Sequence, residues 1–402
     1  MKILIIYRHY WPDTTPLGSM LRTLAEHLAA RGHRVFVYTA QPSYHGRTMP
    51  TLPKREFKGG VRIIRAPLLR ERRGGPVRHI NAALFLMSWL SYAARHRFDL
   101  VWTNTLPPVV NGLTGYIAAK AAGARFLYHV QDVYPEVLAI SSRRPPGAVR
   151  RGILRFLAAI DSLTCRLSSA VVVLSDDMMQ TIADRGGNGA VAFHVLNNFV
   201  QSELGTATPP PARPAPRTGF RMVFSGNLGR FQGLDTLVEA MALIPAQEGI
   251  SLEFIGTGVA AAGLRRLAVE RGLTTVTFTD WLPSDEAFRH IRSANLGIVS
   301  LVPGMYRVSY PSKLMTYLAA GLPVLAVVEP ESALARYLEG SGAGIAVMGD
   351  AAAIAAAIRQ VRDRFGGDAT ASERITALAE RDFGRAQACE RWAQLIDSFV
   401  TD

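Results

Sequence analysis

The sequence predicts an α/β protein made of two doubly wound parallel-sheet domains that face each other across a cleft. Three observations predict it. Short runs rich in β-branched residues recur with helical segments between them. The runs are continuously apolar, as strands buried on both faces are, and do not alternate. Five prolines fall within residues 207–217, a stretch that can continue neither strand nor helix and reads as a stiff, extended linker. Each flank of that linker opens with a strand followed by a glycine-bearing turn.

In chain order the expected strands of the first half are 2–7, 34–39, 100–103, 126–130, 170–174 and 192–196. Those of the second half are 221–225, 251–255, 276–279, 296–300, 323–328 and 344–347. Alternation with helices implies right-handed crossovers, and ligands in such folds sit at the carboxyl ends of the strands. The expected boundaries are a first domain over 1–205, a linker over 206–217 and a second domain over 218–384.

Composition narrows the function classes. A chain of 402 residues, 49% hydrophobic, has material for two cores and is neither disordered nor collagen-like. The formal net charge of +13 is not spread evenly. Residues 1–200 hold 26 Lys+Arg against 11 Asp+Glu, whereas 201–402 hold 19 against 21. A basic first domain suits an anionic membrane surface or a phosphorylated substrate. No nucleic acid is expected, because no helix-turn-helix, RNA-recognition or finger pattern occurs. Cys165 and Cys389 are the only cysteines, too few for a four-ligand zinc site, and read as free thiols in a reducing compartment. The first apolar run meets Arg8 and His9 too soon for a signal-peptide core. The uncharged apolar stretch 80–94 falls short of the roughly 20 residues of a spanning helix. A cytoplasmic protein, able to attach to a surface, is expected.

The most informative motif is Tyr310-Pro311-Ser312-Lys313-Leu314-Met315-Thr316-Tyr317-Leu318-Ala319-Ala320-Gly321-Leu322-Pro323. Pro311 or Ser312 opens a helix and Gly321 closes it. Lys313 then lies among the unpaired N–H groups of the first turn, where a cation is unfavourable unless an anion joins it. The pattern admits a phosphate site or an exposed lysine on a surface helix. Phe224-Ser225-Gly226-Asn227-Leu228-Gly229-Arg230-Phe231-Gln232-Gly233 leads a strand into a glycine loop bearing Arg230, suited to a diphosphate or to a plain surface turn. Phe254-Ile255-Gly256-Thr257-Gly258-Val259-Ala260-Ala261 has GxGxxA spacing, either a turn beside a nucleotide or a packing device.

In the first half, the loop 129–136 follows a strand. Asp132 or Glu136 there could act on a hydroxyl or cap the next helix, and His129 is divided between cleft and core. Gly18 admits backbone approach to phosphate, or simply precedes a helix capped by Ser19. Arg70, Arg72, Arg73 and Arg78 lead into an apolar helix with Phe85, Trp89 and Tyr92. Arg143, Arg144, Arg150, Arg151 and Arg155 accompany Leu154, Phe156 and Leu157. Both segments suit a bilayer interface, or are covering helices with solvated arginines.

Taken in order, Ser-Gly-Asn-Leu-Gly-Arg, Phe-Ile-Gly-Thr-Gly, Val276-Thr-Phe-Thr-Asp-Trp281 and the Tyr-Pro-Ser-Lys helix resemble the donor domain of retaining glycosyltransferases of the GT4 class. That class has the GT-B fold of two Rossmann-like domains. Tyr10-Trp11-Pro12-Asp13, Gly18, the stretch 27–33, Gln41-Pro42-Ser43-Tyr44 and Tyr128 to Glu136 resemble its first domain. The set is most similar to the WbuB-like branch, which assembles bacterial surface polysaccharide. The resemblance covers nearly the whole chain and is specific for the class, not for the sugar.

The resemblance implies transfer from a nucleotide-sugar, of the UDP-sugar kind, to a lipid-linked saccharide acceptor on the inner face of the cell membrane. It implies donor contacts at Gly18, Gly226, Asn227, Arg230, Gly256, Gly258, Pro311, Ser312, Lys313 and Thr316, and catalytic contacts at Asp132, His129 and Glu136. Membrane or acceptor contacts fall to Arg70, Arg72, Arg73, Arg78 and Trp89, and a C-terminal helix over 385–402 packs back on the first domain. No cofactor and no metal are expected. No Asp-x-Asp occurs, and Lys313, Arg230 and loop N–H groups would stabilise the leaving diphosphate. The family's usual Glu-x₇-Glu pair falls on Val308 and Thr316, its glycine-loop Arg and Lys on Asn227 and Gln232, and its His before Asp on Gln131. Two competitors stay open, a UDP-sugar 2-epimerase-like enzyme and a non-catalytic scaffold, the latter motivated by the lost Glu-x₇-Glu pattern. Oligomeric state is not legible.

Overall fold

The computed structural model describes every residue except 14, 43–50, 70–76, 141–146, 187–189, 201–218, 367, 369 and 402, and leaves the side chains of 78, 79 and 401 aside. The expected linker, Ser43, Tyr44, Arg70, Arg72, Arg73, Arg143, Arg144 and the side chain of Arg78 therefore lie outside the described residues. The chain forms two compact units, Met1–Asn197 with Ala386–Asp402, and Asn198–Arg385.

The first unit is one sheet covered by helices. Its strands are β1 (Lys2–Ile6), β2 (Arg34–Ala40), β3 (Arg55–Lys58), β4 (Val61–Ala66), β5 (Leu100–Asn104), β6 (Arg125–His129), β7 (Ala170–Val173) and β8 (Phe193–Val195). They lie in the order β3-β4-β2-β1-β5-β6-β7-β8. All neighbours are parallel except the β3–β4 hairpin. Central β1 buries Ile3, Leu4, Ile5 and Ile6 completely, which is why its sequence is apolar without alternation. The helices are α1 (Pro16–Ala30), α2 (Val77–Ala94), α3 (Val110–Ala122), α4 (Glu136–Ile140), α5 (Ala148–Leu167) and α6 (Asp176–Ala183).

The second unit has strands β9 (Phe220–Ser225), β10 (Ile250–Ile255), β11 (Val276–Thr279), β12 (Leu296–Ser300), β13 (Val324–Val327) and β14 (Gly344–Val347). All are parallel, in the order β11-β10-β9-β12-β13-β14. Its helices are α7 (Leu234–Ala242), α8 (Ala261–Glu270), α9 (Ser284–Arg292), α10 (Lys313–Ala319), α11 (Ala333–Ser341), α12 (Ala351–Phe365) and α13 (Ala371–Phe383). The last helix, α14 (Arg385–Thr401), belongs to the first unit from Ala386 onward. Its Trp392 stacks on Trp102 of β5 with ring centres 4.6 Å apart. Among the described residues no helix is long and apolar enough to cross a membrane.

Every expected strand is present, and the fold is the GT-B pair of Rossmann-like sheets. The β3–β4 hairpin was not expected. It turns on Gly59 and Gly60, both at positive φ (+57° and +76°), as a two-residue mirror-type turn requires. Its strands carry Arg55, Glu56, Lys58, Arg62 and Arg65 within residues 55–65, and charge of that density obscures the strand period.

Candidate functional site

The order of the second sheet reverses between β9 and β12, and such a switch point leaves a crevice at the carboxyl ends of the strands. The two loops that leave there are tied together. The Val302 N–H donates to the Phe231 carbonyl at 2.8 Å, and the Ser300 hydroxyl donates to the Gln232 carbonyl.

Helix α10 fixes the floor of this crevice. Tyr317 is fully buried, and its hydroxyl accepts from the Ser225 N–H at 2.9 Å. Its ring lies on Gly297 of β12, where a Cβ would stand 2.4 Å from the ring. Lys313 is one turn earlier, so its side chain follows the same helix face. Its Nζ sits 4.8 Å from the centre of the Phe224 ring. A Cβ on Gly226 would lie 3.2 Å from its Cε and 3.3 Å from its Nζ. The glycine loop and the Tyr-Pro-Ser-Lys helix, distant in sequence, thus meet at one ammonium. Among the described residues Lys313 has no hydrogen-bond or ion-pair partner. Removal from water lowers its pKa from 10.5 to about 8, so it remains a cation at neutral pH.

The two glycine motifs interlock. Gly226 donates to the Ile255 carbonyl at 2.8 Å, and Leu228 to the Thr257 carbonyl at 3.0 Å. A Cβ on Gly256 (φ +132°) would fall 2.1 Å from the Gly226 oxygen, and one on Gly258 would fall 2.2 Å from the Leu228 oxygen. Both glycines therefore act by packing, holding the loop after β10 beneath the loop after β9. Asn227 and Arg230 are exposed. Gln232, at the place of an expected lysine, accepts from the Gly229 N–H at 2.9 Å and braces its own loop. Pro311 and Thr316 are half-buried. Ser312 is exposed and makes no capping hydrogen bond with its side chain. Val308 is buried in the core, so nothing at that position reproduces a family glutamate.

In the first unit, Asp132 follows β6 at the carboxyl end of the sheet. It is half-buried, and among the described residues it has no hydrogen-bond or ion-pair partner. Burial pushes its pKa from 3.8 up to about 6.

Its expected companions are corrected. His129 is wholly buried, with Trp392 and Trp102 at 4.9 and 6.0 Å between ring centres. Burial lowers its pKa to about 3. It is a neutral core imidazole whose Nε2 accepts from the Gln131 amide at 2.6 Å, not a group that meets substrate. Glu136 is consumed by Arg185, which donates to both carboxylate oxygens at 2.9 and 2.6 Å. Arg185 also holds the buried Asp161 at 2.6 Å, and the Tyr128 hydroxyl donates to Asp161 at 2.9 Å. Trp89 is corrected too, since it is fully buried and cannot face a bilayer. Gly18 is buried, and a Cβ there would stand 2.3 Å from the His9 carbonyl oxygen. Helix α1 is capped by Thr15, whose Oγ1 accepts from the Gly18 N–H at 3.0 Å, and not by Ser19. Sequence reasoning gave no role to Tyr317 or Arg185. Tyr317 was recoverable from its spacing to Lys313, whereas Arg185 carried no local signal.

Residues 17–198 match the family described as Glycosyl transferase 4-like domain, and residues 219–364 match Glycosyl transferases group 1. WbjE of Pseudomonas aeruginosa, named as a glycosyltransferase, is 26% identical over 269 residues, 65% of this chain and 65% of its own length. WcaI of Escherichia coli K12, named as a colanic acid biosynthesis glycosyl transferase, is 25% identical over 382 residues, 90% of this chain and 91% of its own. The solved structure of HepE from Anabaena in complex with UDP matches with a TM-score of 0.71 at 16% identity, over 99% of this chain and 100% of that one, a likeness of fold.

Proposed function

We propose sugar transfer from a nucleotide-sugar for this chain, which is built of a glycosyl transferase 4-like domain followed by a glycosyl transferases group 1 domain. The observation that carries the proposal is the unpaired Lys313 ammonium held against Gly226 at the switch point of the second sheet. A partly desolvated cation without a counter-ion, beside a loop whose glycine lets backbone come close, is matched to a diphosphate. In the reaction the bond between the sugar C1 and the diphosphate oxygen breaks, and the electron pair leaves with the diphosphate. An acceptor hydroxyl oxygen bonds to C1 with retention, and its proton passes to the departing diphosphate oxygen. Lys313, with Arg230, neutralises the charge that grows on the leaving group. Asp132 on the first unit orients the acceptor hydroxyl. The UDP complex of HepE favours a UDP-sugar donor. The name of WcaI, a colanic acid biosynthesis glycosyl transferase, favours a place in surface-polysaccharide assembly, of the WbuB-like branch, with no metal required.

The test is Lys313→Met. Removing a half-buried, desolvated charge relieves its desolvation cost, so the variant should keep or raise its melting temperature. At the donor site it should bind UDP at least tenfold more weakly, about 1.4 kcal/mol. UDP affinity equal to that of the parent would overturn the assignment.

A lipid-linked acceptor at the inner membrane face is part of the same proposal. With Trp89 withdrawn, the support is α5, which exposes Val149, Ile153 and Phe156 (80, 55 and 66%) beside exposed Arg150, Arg151 and Arg155. An apolar stripe edged with arginine suits an anionic leaflet. Ile153→Glu with Phe156→Glu should weaken sedimentation with anionic vesicles at least tenfold, and undiminished binding would remove this element.

A further inference from the structure

At the opposite end of the first sheet from Asp132, the amino-terminal ends of β1, β2 and β4 open a cavity of about 670 Å³. Lys2, Arg34, Arg55 and Arg62 line it. Register puts them on one sheet face. Lys2 is the direct neighbour of Arg34, Phe36 lies beside Arg62, and Arg62 lies opposite Phe57. Arg34 precedes Phe36, and Arg55 precedes Phe57, by two residues.

Like charges placed directly across strands, as Lys2 and Arg34 are, repel by a few tenths to about 1 kcal/mol per pair. Among the described residues none of these four side chains makes an ion pair. The single acid in the lining, Glu56, faces Arg65 at 2.8 Å. Nearby Asp99 is engaged by the Lys2 backbone N–H at 2.6 Å.

The walls are aromatic. Lys2 and Arg62 lie over the Phe36 ring at 5.3 and 5.1 Å. Tyr92 and His96, on and just beyond the end of α2, stack at 4.2 Å. Phe57 is 70% exposed on its edge strand, a large ring left in water at the rim. Arg55 and Arg62 both act electrostatically on the Tyr92 phenol, so their charges converge on that wall.

We propose that this cavity is a second ligand site, separate from the donor site, for a phosphorylated molecule with a planar ring, nucleotide-like in size and charge. Guanidinium forks pair bidentately with phosphate oxygens. Exposed aromatic faces stack on planar rings with little regard to their identity. The volume falls in the range of about 300–1,000 Å³ that holds such ligands.

The experiment titrates UDP, ADP, inorganic pyrophosphate and uridine into the full-length chain, its Lys313→Met variant and an Arg34→Glu/Arg62→Glu variant. Both arginines are exposed, so the double variant should fold. Lys313→Met should retain one nucleotide site per chain, and adding the two glutamates should weaken that site at least tenfold. Phe57→Ala should weaken nucleotides about fivefold and leave pyrophosphate unchanged, and uridine should bind poorly throughout. The proposal is overturned if Lys313→Met binds neither nucleotide, or if its residual binding ignores the two glutamates. Pyrophosphate binding as tightly as the nucleotides would overturn the role of the ring. Binding unaffected by Lys313→Met alone counts against the donor assignment, and the arginine variants still decide this site.

Discussion

Two half-buried side chains, Lys313 and Asp132, have no hydrogen-bond or ion-pair partner among the described residues and hold opposite charges, and environment tunes each toward neutrality. Desolvation lowers Lys313 to about 8 and raises Asp132 to about 6. At pH 7 both stay mostly ionised, and each destabilises the fold. For Asp132 the folded pKa exceeds the unfolded value of about 4. The stability it contributes is therefore fully present below about pH 4 and is lost as the pH rises through 6. Asp132→Asn should not lower the melting temperature at pH 7. If Asp132 must be ionised to orient the acceptor, kcat/KM should fall as the pH drops through about 6. The asparagine variant should lose that limb together with about 10²-fold or more in rate. A profile with the limb intact in the variant would assign it to another group. Lys313 works in the opposite direction. Its cost is present below pH 8 and relieved as the pH climbs toward 10.5, so UDP affinity should weaken over the interval in which the apo protein grows more stable.

Helix α10 is short, and its usefulness lies in the spacing of two side chains. Tyr317 clamps the end of β9 through the Ser225 N–H, and Lys313 reaches Gly226 from one turn away. Tyr317→Phe leaves that buried N–H without an acceptor, at a cost of about 1–3 kcal/mol, and frees the glycine loop to shift. Denaturant melts should show the loss. The donor KM should rise several-fold with kcat nearly unchanged, because the hydroxyl positions the loop without touching substrate. An equal loss in kcat would mean that it does more. At this scale the sequence was informative wherever the cause was local. The strands could be read because parallel burial leaves no alternation, and α10 could be read from its proline, lysine and glycine. Partners brought from far along the chain could not be read. Glu136 looked available because Arg185 is 49 residues away. Trp89 looked membrane-facing because α2 is apolar around much of its surface, and sequence does not say which face the core takes.

The first unit is not contiguous in sequence, and that decides the state of its site loop. Helix α14 arrives after the whole second unit and lays Trp392, 1% exposed, on Trp102 and His129. Arg31 pairs with Glu390 and Asp397 at 3.1 and 2.9 Å, and His33 with Asp397 at 3.0 Å. The exposed ion pairs of Arg31 set register more than energy, so the indole carries the closure. His129 is neutral because that indole excludes water, and the neutral imidazole is what accepts from Gln131, next to Asp132. Trp392→Ala should therefore cost about 3–5 kcal/mol in the first unit. It should also admit water to His129 and raise its pKa from about 3 toward the ordinary range. Carbon-13 NMR of labelled histidine would follow that titration directly. Denaturation should separate into two transitions, with only the first unit's midpoint lowered, while UDP binding on the second unit keeps its affinity within about twofold. A histidine that stayed untitrated to pH 4 after loss of the indole would show that the strand and Trp102 alone keep it dry. The dependence of the site loop on the end of the chain would then be refuted.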